Sequence, residues 1–469
     1  MEHPADKKQL DAPNRALQIP EILFTICAFL GRRHCVNLLY VSRHAYAMAT
    51  IVVWADVDIK AVLLTIPGAT VVNKADSEFG SEQVLTLPSV PDLDRFHYYA
   101  SNVKTLRSAG LYVIRFPSDP NAPQPRLPQL QRIMTSIVFP NSPQHISWIS
   151  QFLHPGLLAL EIYSVGANPS QAKLASTPWT DQATTFQLIG EIAEKCPRLE
   201  SLHIYPSGLG QISIETGSEL YGKIGTLARL RSFSFSGSVV HPTLIQVLSK
   251  LSSLETLAFR TDQQEQWVPV GAAGVLPDDA FPSLRHLTLY RVSESDVSHL
   301  WRTPQILRQL DTIEVVFGDH QEEPLMDDAQ RSGVVLRSLA DHSPHIQRLT
   351  VLPRGYRGEC SISDLAIRSF ERTPLKYLRL GSIEFDLAAD SADEPWLKFL
   401  SAVPHLEELH IEREGLLAQT VFWIASMLPK LRLLTFKSIF ESVILNQDHL
   451  LESADFAHDQ GAGFPLSKQ

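Results

Sequence analysis

A six-residue pattern, Leu-x-x-Leu-x-Leu with apolar substitutes, recurs nine times in succession. It stands at Leu199-Leu202-Ile204, Leu230-Phe233-Phe235, Leu254-Leu257-Phe259, Leu284-Leu287-Leu289 and Leu310-Ile313-Val315. It continues at Ile346-Leu349-Val351, Leu375-Leu378-Leu380, Leu406-Leu409-Ile411 and Leu431-Leu434-Phe436. First positions are separated by 31, 24, 30, 26, 36, 29, 31 and 25 residues, a mean of 29. Leu157-Leu160-Ile162 is a further copy upstream, and Leu130-Ile133 and Val103-Leu106 are partial copies. One hexad says little. Nine at this period mean that the fold is assembled from repeated units. The alternation in the second half of each hexad describes a short strand with one buried face.

The segments between hexads have a different period. Thr184–Lys195, Pro242–Leu251, Asp327–Asp341, Ile362–Glu371, Ala392–Ala402 and Ala418–Leu428 place apolar residues at helical spacing. Proline precedes six hexads, at Pro197, Pro282, Pro344, Pro374, Pro404 and Pro429. There it is expected to end a helix and lead an extended chain into the strand. Strand alternating with helix implies parallel strands joined by right-handed crossovers. A single unit cannot bury its apolar face, so the units must stack. Five polar or proline-containing insertions, 117–128, 166–180, 261–279, 318–328 and 382–394, are expected to be loops.

This pattern resembles the leucine-rich-repeat family, roughly from residue 100 to 440. The resemblance implies an α/β solenoid with a concave parallel sheet and convex helices. The repeat domain is placed at 61–445, regular from about 199 and weaker over 100–198, with tails at 1–15 and 446–469. The family's usual Asn or Cys after the strand is replaced by Ser207, Ser238 and Asp262 at three repeats. The backbone there must find other partners.

Residues 16–60 read differently. Pro20 suits the first position of a helix, and Ile22, Leu23, Ile26, Phe29 and Leu30 form an apolar stripe that Gly31 ends. A second helical stretch carries Val36, Leu39 and Tyr40, and a third runs from Ser42 toward Val53 and Trp54. Three short helices make a very small core that gains from a partner.

This segment is similar to the F-box. Ile19, Pro20, Glu21, Ile22 and Leu23 match its opening, one residue short between Pro and Glu. Ile26, Leu30, Leu39, Val41-Ser42-Arg43 and Val53-Trp54 match later positions, while Ala45 and Tyr46 stand where the family carries a tryptophan. The resemblance implies docking on a Skp-type adaptor through Ile19, Pro20, Glu21, Ile22, Leu23, Ile26, Leu30, Leu39, Val41 and Trp54. A cullin ubiquitin-ligase scaffold lies behind that adaptor, and the repeats hold a protein substrate. It also points to a fungal source. A repeat scaffold without ligase association is the alternative.

Outward strand positions supply the candidate substrate contacts: His203, Tyr205, Arg260, His286, Tyr290, Arg348, Tyr377, Arg379 and His410. Each is equally compatible with an ordinary solvated strand face. A net charge of −10 and pI near 5.9 argue against a nucleic-acid-binding main surface. The longest apolar runs fall short of a membrane helix, Met1–Arg15 lacks an apolar signal core, and four cysteines are too few for a disulfide scaffold. The expectation is a cytoplasmic or nuclear protein. No metalloprotease, hydrolase-elbow or phosphate-loop motif is present, and Gly208-Leu209-Gly210 lacks a third glycine. The spacing of Cys27, His34, Cys35 and His44 is unusual for zinc. The expectation is therefore no enzyme, no cofactor and no metal.

Overall fold

The computed structural model describes residues 16–74, 82–108, 112–119, 121–137, 143–164, 180–207, 214–237, 241–261, 276–292, 297, 300–301, 303–318, 339, 342–352, 359–386, 394–440 and 464–465. Its contacts divide the chain into two units, Met1–Ser207 and Gly208–Gln469.

The first unit opens with α1 (Pro20–Leu38) and α2 (Arg43–Ala55). Gly31 interrupts α1 at φ 70° and ψ 163°, so two helical pieces meet at a kink there. This conformation favours glycine, and the two pieces are the first two helices expected from the sequence. The Ser42 side chain accepts the Ala45 N–H and starts α2. Leu23, Cys27, Cys35, Ala45, Ala49 and Val53 form the private core of these helices.

The repeat begins earlier than its hexads suggest. α2 runs directly into β1 (Asp56–Asp58), followed by α3 (Ile59–Leu63), β2 (Thr70–Lys74), β3 (Glu82–Thr86), α4 (Asp94–Ala100), β4 (Thr105–Ser108) and β5 (Tyr112–Arg115). Then come β6 (Arg132–Ile137), β7 (Ala159–Ser164), α5 (Gln182–Lys195) and β8 (Ser201–His203). β1, β4, β6, β7 and β8 pair in parallel in that order, with Val57 aligned on Leu106, Leu106 on Ile133, Ile133 on Leu160 and Leu160 on Leu202. Val57 is thus the strand residue of an additional repeat, whose hexad Trp54-Val57-Ile59 carries no leucine. β2, β3 and β5 make a separate three-stranded sheet. Trp54 stacks on Tyr99 of α4 at 4.1 Å, and the Tyr46 and Tyr99 hydroxyls meet at 3.0 Å. The N-terminal helices are therefore packed onto the first repeats, not strung ahead of them.

The second unit contains α6 (Ile214–Gly225), β9 (Ser232–Ser236), α7 (Pro242–Leu248), β10 (Thr256–Arg260), β11 (His286–Val292), α8 (Pro304–Leu307), β12 (Thr312–Phe317) and β13 (Arg348–Leu352). It continues with β14 (Glu359–Ser363), α9 (Asp364–Phe370), β15 (Tyr377–Leu380), β16 (Ser382–Asp386), α10 (Glu394–Ala402), β17 (Glu408–Leu417), α11 (Ala418–Met427), β18 (Leu433–Phe440) and β19 (Phe464–Pro465). β9, β10, β11, β12, β13, β15, β17 and β18 are neighbours in parallel, and β19 closes on β18 antiparallel. The hexads lie in register: Phe233, Leu257, Leu287, Ile313, Leu349, Leu378, Leu409 and Leu434 form one row across the sheet. All are buried. The fold is the α/β repeat solenoid expected from the sequence.

Three local expectations are corrected. Ser382–Asp386, read as acidic loop, is strand β16 paired with β14. Its alternation of Ile383 and Phe385 with polar residues is a strand signal that the acidic composition hid. Ile362 and Ser363 belong to β14, so the helix there starts at Asp364. Proline does not simply straighten the chain. Leu199, Leu284, Ile346, Leu406 and Leu431 each return their N–H to the residue just before the proline, so the proline occupies the second position of a tight turn. Most of 166–180, 261–279, 318–328 and 327–341 lies outside the described residues, as do Ser238 and Asp262. At strand entry the inter-repeat bonds are made by main chain alone: the N–H groups of Glu255 and Thr256 share Arg231 O, Arg285 and His286 share Glu255 O, and Asp311 and Thr312 share Arg285 O. No Asn or Cys side chain is required for these links.

Leu257→Ala should lower the stability of the second unit by about 2–5 kcal/mol. Thr256→Ala, one residue away on the outward face, should change it by no more than about 0.5 kcal/mol. Urea midpoints of the two variants provide the comparison.

Candidate functional site

The apolar surface of the first unit is concentrated at its N-terminal helices. Nine of the sixteen exposed large apolar side chains among the described residues fall between Leu17 and Val41. Of the residues singled out by the F-box resemblance, Ile19, Pro20, Glu21, Ile22, Leu30 and Val41 are exposed, with Val41 at 68%. Leu23 is buried, Ile26 is half-buried, and Leu39 and Trp54 pack against the private core. The ring of Trp54 is engaged by Tyr99. The structure adds Leu17, Phe24, Phe29, Val36 and Tyr40 to the exposed set, with Phe29 at 88% and Tyr40 at 86%. Apolar side chains left in water beside a face that already packs inward form a surface that a partner can cover. That signal was available in the run Ile22-Leu23-Phe24, which a single-stripe reading divides.

The four Cys and His residues weighed for zinc do not converge. The Cys35 thiol donates to Cys27 O at 2.9 Å inside the core, and His34 Nδ1 lies 2.9 Å from Leu30 O on the exposed side. Burial, and then the neighbouring Cys35, push the Cys27 thiol up.

The outward sheet face of the first unit is paired internally. Arg107 makes a two-pronged ion pair with Asp56 at 2.6 and 2.7 Å, and Arg132 lies 3.9 Å from Glu161. Burial, and then the charge and hydrogen bond of Asp58, push the Tyr112 hydroxyl up to about 12. His203 is half-buried on this face and Tyr205 is buried, its carbonyl accepting the Thr180 N–H at 2.8 Å. On the helical side, a groove of about 890 Å³ lies between residues 124–128, 146–155 and 184–197. Its central carboxylate, Glu191, is bound to Lys195 at 2.7 Å and to Gln187 at 3.3 Å.

In the second unit, strand register brings most of the outward candidates together. Arg260 and Tyr290, expected to face outward as substrate contacts, are both buried because they pack on each other: Arg260 lies 4.8 Å over the Tyr290 ring, and Arg291 is 5.8 Å from the same ring. Arg291 adopts φ 55° where the β11–β12 register shifts. Arg348 lies 4.1 Å over the Tyr377 ring, whose other neighbour is His410 at 5.0 Å. Arg379 donates from Nε and Nη2 to Glu412. Burial pulls the Arg379 guanidinium down, but the bond to Glu412 and the nearby carboxylates outweigh it and raise the group. His286 is exposed and shares a cross-strand row with Thr312 and Arg348. Glu314, Glu408 and Glu412 complete the charge pattern. Glu314 is buried among them.

No protein-family model matches the chain, and no curated protein matches it. Among solved structures, the leucine-rich repeat-containing protein LegL7 of Legionella pneumophila is similar at 11% identity and a TM-score of 0.35, over 66% of this chain and 91% of that one. The repeat fold stands on the strand register alone.

His410 gives this face a pH signature. Burial lowers its pKa, against the raising effect of Glu408 at 3.7 Å, with Arg379 lowering it and Glu412 raising it further. The folded state therefore favours the neutral ring. The stabilisation is present above the ordinary histidine value of about 6.5 and is lost as pH falls through the lower folded value. The His410 ring resonances should titrate below about 6.5, and stability of the second unit should fall between pH 7 and 5 less steeply in His410→Gln.

Proposed function

We propose that this chain is a non-enzymatic substrate-recognition adaptor of a Skp-cullin-F-box type ubiquitin ligase. Its N-terminal helices dock a Skp-type adaptor, and the outward sheet faces of the repeats bind a protein substrate. Ubiquitin transfer belongs to other subunits, and the protein works in the cytoplasm or nucleus. The observation that carries this reading is the exposed apolar surface between Leu17 and Val41. Its helices bury a core of only a few residues while leaving larger side chains in water. That imbalance is what a partner of matching apolar character relieves. The repeat fold supports the second half: its second unit leaves His286 and Arg348 exposed and Tyr377, Arg379 and His410 half-buried, residue types enriched in protein interfaces.

The alternative is a repeat scaffold that binds proteins without a ligase. Co-purification with a Skp-type adaptor separates the two. Wild type should capture it stoichiometrically. Ile22→Asp with Phe29→Asp should reduce capture at least tenfold with an unchanged melting profile, because both side chains are exposed. Leu23 is unsuitable as a probe, since it belongs to the private core. Failure of intact wild type to bind any Skp-type adaptor would leave the scaffold reading.

A further inference from the structure

On β15 and β17 one outward cation already has its acid. Arg379 is ion-paired with Glu412, and His410 Nε2 is 3.7 Å from Glu408. Arg348, on β13, is different. It is exposed, and none of the described carboxylates lies within ion-pairing distance of it. Its guanidinium is nonetheless held in place, 4.1 Å over the Tyr377 ring. Stacking of this kind orients the planar fork and leaves its N–H edge available.

The surroundings define what that edge can receive. On the side away from Tyr377, Thr312 is in register with Arg348, and His286 is in register with Thr312. This flank offers a hydroxyl and an imidazole, and the row reaches an acid, Glu408, only beyond Tyr377. Three carboxylates, Glu314, Glu408 and Glu412, share the wider sheet face. A doubly charged phosphate would meet repulsion from all three. A single carboxylate meets less repulsion and matches the guanidinium fork with two parallel hydrogen bonds.

We infer that Arg348, braced by Tyr377 and flanked by Thr312 and His286, receives a carboxylate from an acidic segment of a protein partner. This names the chemistry of the substrate and rests on the proposed role of the repeats in binding one. Pre-orientation by the ring lowers the ordering cost of binding, which marks Arg348 as an energetic centre of the face.

Panning a phage-displayed random dodecapeptide library on the full chain tests this. Selected peptides should be enriched in Asp and Glu. For a synthetic selected peptide, Arg348→Gln should weaken binding at least tenfold, and so should Glu→Gln at the critical peptide position. The two losses should not add in a double-mutant cycle, because they remove one contact. Arg348→Lys, which keeps the charge and loses the fork, should weaken binding at least threefold and serves if the glutamine variant misfolds. Phosphoserine at the critical position should bind more weakly than Glu. Absence of acidic enrichment, additive losses, or tenfold tighter binding of the phosphoserine peptide would each overturn the inference. Adaptor capture measured in parallel keeps the two claims apart. Acidic selection without adaptor capture would sink the ligase role alone. Capture by a chain that selects no acidic peptide would sink this inference alone.

Discussion

Everything in the second unit depends on one contact repeated from strand to strand: the inward apolar residue of each repeat packs between its counterparts in the repeats on either side. Leu257 lies in register with Phe233 on one side and Leu287 on the other, and the row extends to Leu434. No repeat has a closed core of its own, so each is stable only through its neighbours. Parallel register keeps the inward residues in line and forces the residues between them onto the opposite face. The binding candidates are therefore a by-product of packing. Arg348 and Tyr377 meet because Leu349 and Leu378 are aligned in the core.

The same constraint explains why the two ends of the chain use different surfaces. Repeats spend their apolar residues inward and leave a polar, pre-oriented face outside. The N-terminal helices cannot do this. Their private core holds Leu23, Cys27, Cys35, Ala45, Ala49 and Val53, several of them small. Phe24, Phe29, Tyr40 and Val41 remain outside it, in water. Trp54 and Tyr46 then fasten the third helix to Tyr99, so the helices are held against the first repeats.

The repeat architecture was legible in the sequence because period and burial coincide. The middle residue of every hexad from Leu202 to Leu434 lies in a strand, as do Leu160 and Ile133 of the two copies upstream. Reading failed where composition masked alternation, as at Ile383 and Phe385 in an acidic stretch, and where a repeat lacked its first leucine, as at Val57. The turn role of the prolines was not evident because proline both ends helices and opens turns, and only the returning N–H distinguishes the two. At the candidate sites, sequence spacing placed His286 and Arg348 outward as the structure has them, but Tyr205, Arg260 and Tyr290, expected on the same face, are buried. It did not show their partners, since Arg348 over Tyr377 and Arg379 with Glu412 are separated by 29 and 33 residues. Nor did the F-box resemblance reveal that Leu23 and Trp54 are committed to internal packing.

Amide hydrogen exchange across β10, β11 and β12 tests the dependence of each repeat on its neighbours most directly. Thr256–Arg260, His286–Val292 and Thr312–Phe317 should be protected together, and Leu287→Ala should accelerate exchange in all three. Loss of protection confined to His286–Val292, with its neighbours unchanged, would show instead that the repeats are independently stable.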